Sequence, residues 1–128
     1  MKGDLRTPLA RARGLGSAKY GVSHWWAQRV TAIALIPLTI WFAISLVMLS
    51  GADYATVRAW IASPLVMALL ALTIVIGLHH GQLGMQVVIE DYVHDEGWKL
   101  ALVVIVKFIA VLFGLGAVVA IMRIGFGG

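Results

Sequence analysis

The chain has 128 residues, 61% of them hydrophobic and only 12% charged. Soluble domains of this size carry about 45–50% apolar and about 25% charged residues, so this much apolar surface needs lipid as part of its solvent. The absence of cysteine excludes disulfides, iron–sulfur clusters and thiol nucleophiles within the chain, leaving metal ligation to histidine or carboxylate.

Residues 1–24 are basic and glycine-rich, with Lys2, Arg6, Arg11, Arg13 and Lys19. Six of the ten Lys and Arg residues fall within the first 29 positions, and much of the net charge of +4 has its source there. In a soluble protein such a run points to nucleic acid. Beside membrane spans it reads as an orientation signal instead, and no nucleic-acid partner is expected. An Arg-rich, acid-poor start also has the look of an organelle transit peptide, but no cleavage pattern follows. The segment is read as a cytoplasmic one that is retained.

The first span is expected over about residues 30–49, which hold no charge. That is close to the ~20 apolar residues a membrane helix requires and longer than a secretory signal's core. Trp25 and Trp26 precede it at the headgroup level, and Pro37 predicts a kink. Residues 50–63 read as a short loop, with Pro64 placed for the first turn of the next helix. The second span, about residues 65–89, is apolar in its first half and carries His79, His80, Gln82 and Gln86 in its second. A loop over residues 90–99 holds four acidic groups, and a third span covers about residues 100–122, with Lys107 inside it. Lys107 is expected to snorkel toward the cytoplasmic face.

The fold class is therefore all-α: one membrane-anchor domain, multi-pass, in the inner (cytoplasmic) membrane. The positive-inside rule puts the N-terminus in the cytoplasm, and three spans then put the C-terminus on the opposite side. Three helices are few for a transporter enclosing its own path, so a partner contributing further helices is expected.

Polar groups inside a membrane are costly and usually face protein, cofactor or water. With His80 at zero on a helical wheel, Gly77 falls at about +60°, Gly84 at about +40° and Asp91 at about +20°, all on one face. His79 lies about 100° away, with Leu83 and Glu90. Neutral imidazole is an axial ligand for haem iron, and small residues beside it leave room for a flat macrocycle. Gly77 and Gly81 also form a G-x-x-x-G pair, whose simpler meaning is close helix packing. Spacing leaves both readings open. Asp91 and Tyr92 end the second helix, roughly 16 Å along the axis from His80. They suit either a solvated membrane rim or a quinone site in which the phenol donates to a quinone carbonyl. Arg29 reads first as a headgroup-snorkelling residue.

The stretch from His80 to His94, HGQLGMQVVIEDYVH, resembles the signature of the succinate dehydrogenase (respiratory complex II) hydrophobic membrane anchor subunits. His80, Gly84, Asp91 and Tyr92 stand at that pattern's offsets. Residues 14–32, ending QRVTA, are similar to the family's lead-in to its first helix. This resemblance implies a four-subunit succinate:ubiquinone oxidoreductase of the respiratory chain and tricarboxylic acid cycle. In it a flavoprotein subunit oxidises succinate and an iron–sulfur subunit carries electrons to the membrane. This chain and a second three-helix cytochrome b anchor subunit then hold haem b and a ubiquinone site. By position, His80 is implied as one axial haem ligand, Arg29 and His24 as the haem propionate region, and Tyr92 and Asp91 as the quinone-binding pair. The adjacent His79 is a rival ligand that the family pattern sets aside. Arg11, Arg13, Lys19, Asp91 and Tyr92 are the expected docking rim. No succinate chemistry is expected in this chain. The competing readings are a cofactor-free structural membrane subunit and the anchor of a quinol:fumarate reductase.

Overall fold

The computed structural model describes residues 7–13 and 21–127, apart from the Arg11 side chain. Lys2, Arg6, Lys19 and residues 14–20 of the N-terminal motif lie outside the described residues. The elements are α1 (Pro8–Arg13), α2 (Gly21–Met48), α3 (Tyr54–Ala62), α4 (Pro64–Tyr92) and α5 (Glu96–Gly125). Among the described residues all regular structure is helical, and α2, α4 and α5 are each long and apolar enough to cross a membrane.

These three helices extend past the spans expected from hydropathy. Their 28, 29 and 30 residues correspond to about 42–45 Å at ~1.5 Å per residue. Hydrocarbon is only ~30 Å thick, so the ends project into the headgroup layer. Helix α2 thus begins at Gly21 and carries His24, Trp25, Trp26 and Arg29 on its opening turns. It continues unbroken through Pro37.

The expected loop at residues 50–63 is corrected: it contains the nine-residue α3. Asp53 caps that helix by accepting from the Thr56 N–H at 2.9 Å. Hydrogen bonding from the Thr56 side chain, and then from its backbone, holds the Asp53 carboxyl below its usual range. A helix this short is marginal alone. Here Trp60 stacks on Trp41 of α2, ring centroids 5.9 Å apart, and α3 lies against α4 and α5. Ser63 ends α3 and begins α4, with Pro64 in the first turn as expected. The second loop is also shorter than expected. Helix α4 runs on through Glu90, Asp91 and Tyr92, and Asp95 caps α5 by accepting from the Trp98 N–H at 2.8 Å.

Helix α4 is central, with α2 on one side and α5 on the other. Gly77 and Gly84 supply close approach to α2, and Gly114 of α5 meets Leu78 of α4. Among the described residues only Leu70, Leu83, Ile89, Ile121 and Ser45 are buried. Most apolar side chains of the three long helices face outward, as membrane lipid or partner helices require.

Candidate functional site

His80 lies on α4 about twelve residues before its end, where the helix turns its small side chains toward α2. Gly77 opposes Leu35 and Gly84 opposes Gln28, at ordinary contact distances from where a Cβ would stand (3.9 and 3.6 Å). His80 sits between them, its Nδ1 2.9 Å from the Thr31 hydroxyl. The register is antiparallel: residues 35, 31 and 28 of α2 meet 77, 80 and 84 of α4. Two of the glycines near His80 therefore face α2; of the Gly77/Gly81 pair weighed above as a packing motif, only Gly77 meets that helix, and Gly84 takes the second place. The open space beside His80 is at Gly81, where an added Cβ would meet nothing within 4 Å.

His79 has different surroundings. It is exposed, and it lines two adjoining cavities together with Gln82 and Lys107. One, of about 660 Å³, is walled by Val75, Leu78 and the apolar face of α5. The other, of about 830 Å³, reaches the start of α2 and is lined by His24, Gln86 and Glu90 as well. Gln86 donates to Glu90 at 2.8 Å along its wall. In the lining of these cavities His24 Nε2 and Gln82 Oε1 are buried without a hydrogen-bonding partner, as is Gln28 Oε1 at the α2–α4 contact. Buried polar atoms are rarely left unpaired. The side of α4 and α2 around the two histidines thus holds donors and acceptors unused by the chain itself.

The other predicted residues divide in two. His24 is seven residues before Thr31, hence within about 20° of it around α2, on the side facing α4. Arg29 is two residues from Thr31 and about 160° away, on the outer side of the helix. There its guanidinium lies over the Trp25 ring, 5.1 Å from the centroid. The structure therefore brings His24, but not Arg29, to the α4-facing side. Asp91 and Tyr92 are exposed at the end of α4, with Tyr92 77% accessible. Arg13, on α1, is exposed.

Thr31 and Gln28 escaped the sequence reading. Their signal was present as His24, Gln28 and Thr31, three polar residues at helical spacing on one face of the first long helix, in line with Leu35. It was masked because the Thr31 hydroxyl counts little in hydropathy.

The donor set fits a haem. His80 has one ring nitrogen held by the Thr31 hydroxyl, an oxygen partner of the kind that orients ligating imidazoles, and its other nitrogen is left for a metal. The group of three or more close His, Asp or Glu side chains that would hold a bare metal ion is absent among the described residues. A single histidine suits a cofactor-borne iron better than a protein-only metal site.

Comparison with known proteins adds an independent finding. The family model described as succinate dehydrogenase/fumarate reductase transmembrane subunit matches residues 3–114. The succinate dehydrogenase hydrophobic membrane anchor subunit of Rickettsia bellii is 32% identical over 122 residues, covering 95% of this chain and 98% of its own length. Its namesake from Paracoccus denitrificans is 34% identical over 125 residues, with 94% and 93% covered. The succinate dehydrogenase membrane anchor subunit of Reclinomonas americana is 31% identical over 104 residues, with 73% and 80% covered. No solved structure matches the chain.

Proposed function

From the premise that this chain belongs to the succinate dehydrogenase/fumarate reductase transmembrane subunit family and is a membrane anchor of succinate dehydrogenase, we propose that it helps bind haem b and ubiquinone there. His80 supplies one axial ligand, and Tyr92 and Asp91 form part of the quinone-reduction site. The observation that carries this reading is the 2.9 Å contact of His80 Nδ1 with Thr31, which leaves one imidazole nitrogen of a membrane histidine for a ligand.

The bound haem supplies one-electron redox chemistry. This chain's own residues orient and exclude. His80 presents a fixed imidazole, and the contact of α2 with α4 keeps water from that ring's inner side. His24 contributes a buried, unpartnered ring nitrogen on the same side of α2, suited to a propionate. Arg29, now over the Trp25 ring, would offer a guanidinium suited to pairing with a propionate carboxylate. At the end of α4 the Tyr92 phenol donates a hydrogen bond to a quinone carbonyl, and Asp91 stands beside it to help deliver a proton.

The N-terminal segment and the α4–α5 turn lie on the cytoplasmic side, where an iron–sulfur subunit and a flavoprotein subunit dock against Arg11, Arg13, Lys19, Asp91 and Tyr92. A second three-helix anchor would supply the remaining protein ligand to the haem. Succinate chemistry belongs to the flavoprotein. The family description also names fumarate reductase, and the ratio of succinate-oxidation to fumarate-reduction rates separates the two directions.

Substitution of the two histidines tests the ligand. In the purified complex His80→Ala is expected to lose the low-spin b-type haem spectrum, whereas His79→Ala keeps it. The reverse pattern would move the ligand to the cavity-lining neighbour.

A further inference from the structure

We infer that Thr31 is a positioning residue for His80: its hydroxyl fixes the imidazole as the Nδ1–H tautomer and so reserves Nε2 for the metal. The inference rests on the haem reading given above and deepens it.

It follows from counting protons. Thr31 Oγ1 lies 2.6 Å from the Ala27 carbonyl oxygen and 3.1 Å from that of Gln28. Two oxygens as close as the first pair are held by a proton between them. The threonine hydroxyl has one proton, and the backbone takes it. What Thr31 offers His80 at 2.9 Å is therefore a lone pair, and Nδ1 must be the donor. A neutral imidazole has a single N–H. With that hydrogen on Nδ1, Nε2 carries the lone pair, the form in which a histidine binds a metal.

The same arrangement tunes the ligand. A hydroxyl that donates to a carbonyl becomes a better acceptor, and an accepting partner on Nδ1–H raises the basicity of the distal nitrogen. A more basic ligand favours the more highly charged oxidised iron. Thr31 therefore holds the haem potential down and retains the haem more tightly. Neither Gln28 nor Leu35, its neighbours on the same stripe, makes a contact of this kind with His80.

The test uses the whole complex, purified with all its subunits, carrying Thr31→Val or Thr31→Ser. Valine keeps the shape and removes the lone pair, while serine keeps the hydroxyl. Redox titration of the b-type bands, the low-spin ferric electron paramagnetic resonance spectrum and the rate of haem loss are read. Thr31→Val is expected to raise the midpoint potential, shift the ferric spectrum and speed haem loss about 10-fold or more, and Thr31→Ser to restore all three. If Thr31→Val does not assemble, Thr31→Ala makes the same comparison without crowding. Unchanged potential and spectrum in the valine or alanine variant, with haem bands that still depend on His80, would overturn the positioning role and leave the haem reading intact. A complex of unaltered sequence without b-type bands would overturn the haem reading, and this inference with it.

Discussion

His79 and His80 are neighbours in sequence and about 100° apart around α4, and that rotation gives them different chemistry. His80 is half-buried against α2 with one nitrogen engaged, while His79 is exposed to two cavities it shares with Lys107. The helical wheel was enough to separate them and to align Gly77 and Gly84 with His80. It did not reveal that α2 occupies those glycines, because a wheel describes one helix and the contact needs two. Thr31 was hidden for the same reason: its role lies in an oxygen shared between its own backbone and a residue 49 positions away. At the far end of α4 the exposed Tyr92 is free to reach a bound molecule. Tyr92→Phe removes only the phenolic oxygen. A hydrogen bond made in the transition state is worth about 1–1.5 kcal/mol, so quinone reduction should slow roughly tenfold. Succinate oxidation with a soluble artificial acceptor should stay near the unaltered rate. Equal losses in both assays would instead mark an assembly defect.

Among the elements, the three spans were legible in hydropathy, and their number and order stand. Their lengths were not, since the outer turns are polar and hydropathy reports the hydrocarbon layer rather than the helix. The nine residues of α3 fell below any membrane-length signal, although the Asp53 cap and Pro64 marked its two ends. What stabilises α3 is packing against other helices, the Trp60–Trp41 stack on α2 and its contacts with α4 and α5. The α2–α4 contact can be tested at Gly84, where an added Cβ would lie 3.6 Å from Gln28 Nε2. That is ordinary contact, so Gly84→Ala should leave thermal stability in detergent nearly unchanged. Gly84→Leu must push the helices apart, at about 1–3 kcal/mol as overpacking of a close contact. A lower melting temperature for leucine but not alanine is the expected result; equal behaviour of the two would show that α2 and α4 do not meet at Gly84.

For the whole molecule, the pattern of exposure is the main finding. Few side chains are buried, and none in the most apolar stretch of α5 is fully buried within the chain. Large outward residues such as Phe108, Leu112 and Phe113 suit lipid or a neighbouring helix. Unpaired His24, Gln28 and Gln82 atoms on the inner side call for polar company. A chain built this way is one part of an assembly, as its family membership implies. Purification through a tag on this chain, followed by flavin quantification and a dithionite-reduced minus oxidised difference spectrum, reads docking and haem binding in a single preparation. The expected result is a flavin-bearing complex with b-type haem bands, haem and flavin in equimolar amounts. A complex that carries flavin and oxidises succinate but shows no b-type bands would contradict the assignment of His80 as a haem ligand.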